Sequence, residues 1–295
     1  MRLINRENRT AWLLLLPMFV IVLGVTGYPL LQSVWLSFHA RPLAGHDVQA
    51  EWVGLDNFRT VIANAAFRAA VARTLYFTVV SVLAEAVIGV MIALLLDQEF
   101  RGRAFVRALL VLPLAMPTVV SAMMWRLIYN PEYGAFNALL LQLGLIDDYR
   151  SWLGTPGLAM NMVIIAEVWK NFAIVAIIVL AALQTIPREL YEAATIDGAG
   201  PWARFRNVTW PGILAPLSVA LVLRTIEAFK VFDIFYVMTR GGPANTTKTA
   251  TFFVYDESFA FLRAGSAASY ALIVVAISMV LIAIYVRLLR RQDQS

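Results

Sequence analysis

The sequence predicts an all-α integral membrane protein with six transmembrane helices. Three observations predict it. Hydrophobic residues make up 60% of the 295 and charged residues only 15%, against about 25% charged in an ordinary soluble domain. Six apolar runs each reach the roughly 20 residues that a hydrocarbon core requires. Arginines gather in alternate connections between those runs, as expected for a chain that threads a bilayer repeatedly.

The runs fall at about 12–36, 71–96, 105–128, 158–183, 213–238 and 267–289. A backbone in lipid must satisfy its own hydrogen bonds, so each is expected to be a helix. The first begins after Arg2, Arg6 and Arg9. It is too long for the core of a signal peptide and continues through Tyr28-Pro29, so it reads as a retained span. The turn Asp97–Arg103 separates the second and third runs, and Pro113 and Pro117 bend the third. Residues 130–156 and 240–265 read as loops. Connections this short make one domain of residues 1–295.

Composition excludes several classes. The absence of cysteine removes disulfides, thiol catalysis and Cys-ligated metals. His39 and His46 share one segment and lack a third ligand spaced for zinc. The net charge of +5 sits at membrane boundaries, so it does not point to nucleic acid. The chain has no P-loop, HExxH or GxSxG, so it is neither an ATPase by that route nor an enzyme of those types.

Orientation follows from the arginines. Arg2, Arg6 and Arg9; Arg101, Arg103 and Arg107; Arg188, Arg204 and Arg206; and Arg287, Arg290 and Arg291 occupy four short segments on one side. That side is expected to be cytoplasmic, with both termini in it.

One of these segments, Ile186–Pro211, is polar and sharply punctuated. Thr185 is placed to cap a helix beginning at Pro187. Asp197-Gly198 and Gly200-Pro201 end it, since Gly198 accepts a left-handed backbone at little cost. Pro201 opens a second short helix, and Pro211 is expected to block its extension. Each helix is shorter than the roughly 12 residues that an isolated helix needs in water, so the pair must dock on something.

The fifth run is the exception to the apolar rule. It carries Arg224, Glu227, Lys230 and Asp233 at three-residue steps. Unpaired charges cost roughly 2.5–3.5 kcal/mol each at mid-bilayer, so these must pair or face a cavity. Arg224 lies about 16 Å of helix in from Ile213, near the middle. The fourth run adds Glu167, Lys170 and Asn171, and the third adds Thr118 and Ser121. With Trp125, Trp169, Phe229 and Phe232 nearby, these spans offer hydrogen-bonding groups and flat apolar faces, the combination a sugar ring needs. Two readings stand: a solute path, or charges that pair only to fix packing. Thr118, Lys170 and Asn171 read as path and Asp233 as structural.

Glu192-Ala193-Ala194, three residues, Gly198, nine residues, Val208 and then Pro211 resembles the EAA signature of ABC importer permeases; Trp210 departs from the Leu usual there. The likeness extends to Tyr28-Pro29, Gly54-Leu55, Asn57-Phe58, Asn130-Pro131, Gly134, Asn137 and Phe229–Asp233 with Gly241-Gly242-Pro243. The ordered set resembles the maltose and glycerol-3-phosphate type of permease.

This resemblance implies a type I importer permease fold in the bacterial inner membrane. The implied partners are a second homologous permease, two ATPase subunits and an extracytoplasmic solute-binding protein, in membrane lipid and without nucleic acid. The chain itself is implied to hold no cofactor, ATP and Mg being on the ATPase. The implied coupling residues are Glu192, Ala193, Ala194, Asp197, Gly198, Trp202 and Phe205. The implied solute contacts are Leu114, Thr118, Glu167, Lys170, Asn171, Ile174, Arg224, Glu227, Lys230 and Val231. The cargo expected is a sugar or sugar-like solute, with glycerol-3-phosphate or another anionic sugar or polyol as the alternative. An ion-coupled carrier using Arg224, Glu227 and Asp233 is the rival class.

Overall fold

The computed structural model describes residues 2–40 and 50–292; His46, Arg41 and Asp47 lie outside the described residues, as do the side chains of Arg2, Arg6, Arg9, Arg290 and Arg291. The helices are α1 (Arg2–Val22), α2 (Tyr28–Ser37), α3 (Asp56–Ala63), α4 (Ala65–Asp97), α5 (Arg103–Ala115), α6 (Thr118–Ile128), α7 (Ala135–Gln142), α8 (Leu158–Leu183), α9 (Arg188–Ile196), α10 (Pro201–Arg204), α11 (Trp210–Phe229), α12 (Asp233–Met238), α13 (Ala250–Tyr255) and α14 (Ala264–Gln292). Two short strands, β1 (His39–Ala40) and β2 (Glu51–Trp52), pair antiparallel, with His39 opposite Trp52. Among the described residues, five helical stretches are long and apolar enough to span a membrane, or six if the bent pair α5 and α6 is one span.

Proline placement explains two irregularities. A proline inside a helix removes one backbone hydrogen bond, and its ring crowds the preceding turn. Here a five-residue π-helical turn, Leu23–Gly27, precedes Tyr28-Pro29, and another, Phe205–Thr209, precedes Trp210-Pro211. A π turn widens the helix just where the ring needs room. Pro211 therefore does not block the second short helix, contrary to the sequence expectation. Residues Pro201–Phe229 form one continuous helical stretch of 29 residues. By contrast, Met116 and Pro117 interrupt the third span, and α5 and α6 meet at 99°.

The contacts divide the chain into two compact units. The first comprises 1–67 and 253–275. Asn57 Nδ2 donates to the carbonyls of Ser37 and His39, Ser269 Oγ donates to the Ser37 carbonyl, and Asn64 Nδ2 donates to the Tyr270 hydroxyl. Phe67 packs edge-on against Phe253 and Tyr270.

The second unit comprises 68–252 and 276–295. Its centre is α8, whose Val163, Ala166, Ala173, Val175 and Val179 are fully buried. α5 and α11 pack on α8, and α12 packs on α6. α4 approaches α8 closely at Gly89, where an added Cβ would sit 2.7 Å from Val175 Cβ. Small residues allow such close crossings in membranes. The opposite stripe of α4, Leu83, Val87, Met91 and Leu95, is exposed and apolar, as a lipid-facing surface requires. Two segments read as loops contain helices: α7 lies in 130–156 and α13 in 240–265. α7 is short and apolar, and it is fastened by Asn137, whose amide bonds the Arg150 backbone and the Trp152 indole.

Candidate functional site

α11 brings Arg224 into the interior of the second unit, where it is 2% exposed. Three carboxylates surround it. Arg224 Nε and Nη2 donate to the two oxygens of Glu85 on α4, at 2.7 and 3.1 Å. Nη2 also donates to Glu167 on α8 at 3.0 Å, and Nη1 donates to Glu227, one turn on, at 2.5 Å. The Glu85 contact is a two-pronged fork, the geometry that a guanidinium favours. Pairing offsets the cost of placing charge in lipid.

Beside this cluster opens a cavity of about 450 Å³. Its wall contains Leu114, Thr118, Glu167, Lys170, Asn171, Ile174, Arg224, Glu227, Lys230 and Val231, together with Phe232, Asp233 and Ile234. All ten residues singled out in the sequence for solute contact are thus brought together. Asp233, read there as structural, lies in the same wall. Lys170 Nζ donates to Thr118 Oγ1 at 2.7 Å, and Asn171 Nδ2 donates to the Glu167 carbonyl at 3.0 Å.

Two broken helices meet at the cavity. One break is Met116-Pro117, which frees the first turn of α6 and Thr118. The other lies in the fifth span. α11 stops at Phe229, and Lys230, Val231 and Phe232 are non-helical before α12 begins. The expected unbroken span 213–238 is therefore interrupted, and Lys230 and Asp233 sit off the helical row that pairs Arg224 with Glu227. Irregular backbone at membrane depth is tolerated where it lines a cavity.

The aromatic expectation needs correction. Trp125 and Trp169 pack edge-to-face on each other, 5.6 Å between centroids, and Phe229 is fully buried. Of the four named aromatics only Phe232 lies in the wall, because its neighbours are taken up in core packing. Ser121 is buried at 1% and lies outside the wall.

Glu85 was missed. The second span reads as apolar, yet Glu85 is fully buried in it and bound to Arg224. The available signal was a lone acid in the middle of an apolar run, which calls for a named partner.

The stretch 186–211 forms a second polar feature. α9 ends in a Schellman turn: Gly198 N–H donates to the Thr195 carbonyl and Ala199 N–H to the Ala194 carbonyl. Gly198 takes φ +76° to close it. Thr185 does not cap α9; its hydroxyl turns back to the Ala182 carbonyl at the end of α8. Glu192, Ala193 and Asp197 are exposed and Ala194 half-buried. Trp202 is 73% exposed and stacks on Phe205 at 5.5 Å. Tyr191 and Thr209 share a hydroxyl–hydroxyl hydrogen bond of 3.1 Å.

Residues 85–294 match the family described as binding-protein-dependent transport system inner membrane component. The chain belongs to this family. It is a membrane-embedded transport permease rather than an enzyme. The trehalose/maltose transport system permease protein MalF of Thermococcus litoralis is 38% identical over 291 residues, covering 97% of this permease and 96% of the relative. The sulfoquinovosyl glycerol transport system permease protein SmoG of Agrobacterium fabrum is 33% identical over 287 residues, covering 97% and 92%. In fold, the permease superposes with a TM-score of 0.85 on a chain of a bacterial ABC transporter that imports the acidic polysaccharide alginate, at 23% identity and 99% coverage of each.

Proposed function

We propose that this permease forms half of the translocation path for a neutral sugar in a bacterial ATP-driven importer. One observation carries the choice of a neutral cargo. The cavity wall holds Lys170, Arg224 and Lys230 against Glu167, Glu227 and Asp233, three charges of each sign, and Glu85 stands behind Arg224. An anionic solute would add to a site that already has no surplus of positive charge. A polyhydroxylated neutral solute finds donors and acceptors in equal supply. A volume of about 450 Å³ falls within the range usual for small-molecule sites. The two relatives transport trehalose/maltose and a sulfoquinovosyl glycerol by name. Kinship alone therefore supports a saccharide without choosing one.

In this proposal the complex holds a second homologous permease, two ATPase subunits below and an extracytoplasmic binding protein above. The arginine-rich connections and both termini face the cytoplasm. ATP and Mg bind the ATPases, and this chain holds no cofactor. The exposed face of α9 with Trp202 and Phe205 docks in the ATPase, Glu192 pairs with an ATPase base, and closure of the ATPase dimer turns the spans outward to receive solute.

The test is ATP hydrolysis by the purified complex with its binding protein, across trehalose, maltose, glycerol-3-phosphate and a sulfonated sugar. Stimulation by a neutral sugar is expected. Stimulation by the anions alone would overturn the neutral cargo, and uptake driven by an ion gradient without ATP would overturn the importer.

A further inference from the structure

We infer that Glu85 is the positioning residue that fixes Arg224, and that solute enters the site by displacing Glu227 from the Arg224 guanidinium. This rests on the cavity being the solute path.

The three carboxylates around Arg224 are not equivalent. The Glu85 side chain is 0% exposed and Glu167 8%, whereas Glu227 is 59% exposed. Glu85 engages two nitrogens of the guanidinium and takes no part in the cavity wall. It therefore grips Arg224 from the side away from the cavity. Nη1 is the nitrogen bound to Glu227 alone among the described hydrogen bonds. Glu227 lies in the cavity wall, and its exposure lets its carboxylate exchange Nη1 for water.

The consequence is a donor kept in reserve. A sugar hydroxyl or ring oxygen accepts from Nη1 once Glu227 swings into the open cavity. The guanidinium itself does not move, because Nε and Nη2 stay on Glu85 and Glu167. A held donor binds better than a mobile one because less freedom is lost on contact. A merely structural cluster would instead have three fixed partners and no exposed one.

The experiment uses the full complex trapped with ATP and vanadate, without binding protein in the bath. Radiolabelled trehalose is the probe, measured by equilibrium dialysis. Glu227→Gln weakens the hold on Nη1 while keeping the side chain's size, and retention should tighten about fivefold. Glu85→Gln added to Glu227→Gln should cut that gain severalfold, since position 85 then offers one acceptor instead of two and Glu167 alone no longer fixes the direction of Nη1. Weaker retention in Glu227→Gln would mean Glu227 itself holds the solute, and unchanged retention would mean the cluster is structural. Either result overturns the exchange. A gain that survives Glu85→Gln undiminished overturns the role of Glu85. If Glu85→Gln does not assemble, Glu85→Asp replaces it: the shortened carboxylate cannot reach both nitrogens, and the gain should shrink. Failure of the wild-type complex to retain trehalose, maltose or any other neutral sugar tested in its place would refute the cavity assignment instead.

Discussion

The Tyr191 hydroxyl lies 3.1 Å from the Thr209 hydroxyl, joining the middle of α9 to the π-helical turn at the root of α11. This bond links the exposed EAA helix to the helix that carries Arg224. Tyr191→Phe removes it at a stability cost of about 1 kcal/mol. Basal ATP hydrolysis by the complex should persist while solute-stimulated hydrolysis falls severalfold. Equal loss of both would place the bond in assembly rather than coupling.

Gly198 has no atom within 4 Å of an added Cβ, so space does not require glycine there. Its φ of +76° does. Gly198→Ala should lower stability by about 1–2 kcal/mol through backbone strain alone. Gly198→Asn should cost less, because asparagine tolerates the left-handed region at helix ends. Thermal unfolding of the purified complex ranks the two. The reverse order would show that the turn is held by something other than backbone conformation.

At Gly89 the limit is steric. A Cβ would meet Val175 Cβ at 2.7 Å and Val175 Cγ1 at 2.8 Å. Gly89→Ala should push α4 from α8 and cost about 1–3 kcal/mol. Val175→Ala in that background should recover only part of it, since Cγ1 is removed and Cβ remains. Melting temperatures of the single and double variants check this.

Arg224→Met leaves Glu85 and Glu167 buried without their shared cation. Breaking a buried pair by removing one partner costs about 3–5 kcal/mol. The variant should assemble poorly in the membrane. Glu85→Gln and Glu167→Gln added to Arg224→Met remove both stranded charges, so assembly should recover while transport does not. Size-exclusion yield and uptake, measured together, separate the two effects.

The positions that carry chemistry were legible unevenly. Arg224 and Glu227 announced themselves because charge is rare in an apolar run and their spacing put them one turn apart. Glu192, Gly198 and Pro211 were legible as a spaced set. Glu85 carried the same mark, a lone acid in an apolar run, but its partner lies 139 residues away and no spacing identifies it. The break at Lys230–Phe232 was hidden for another reason. It contains neither glycine nor proline, and its form depends on tertiary contacts such as the Thr249 hydroxyl on the Val231 carbonyl. Pro211 misled because a proline inside a helix normally ends it, and the π turn that accommodates it has no simple signature in sequence. Trp125 and Trp169 misled because ring faces suited to a sugar are equally suited to each other.

The unbroken run from Pro201 to Phe229 imposes a rotational register on the chain. Phe205 and Arg224 sit on one helical axis, about 28 Å apart at 1.5 Å per residue. Each residue along it turns the side chain by about 100°. One residue inserted between Leu214 and Leu223 would swing Arg224 away from Glu85 and Glu167, with every other contact residue still present. An insertion of about seven residues, close to two whole turns, would restore the angle but raise Arg224 by about 10 Å. The number of residues between the EAA stretch and the buried arginine is therefore itself a specified quantity, as binding as the identity of either end.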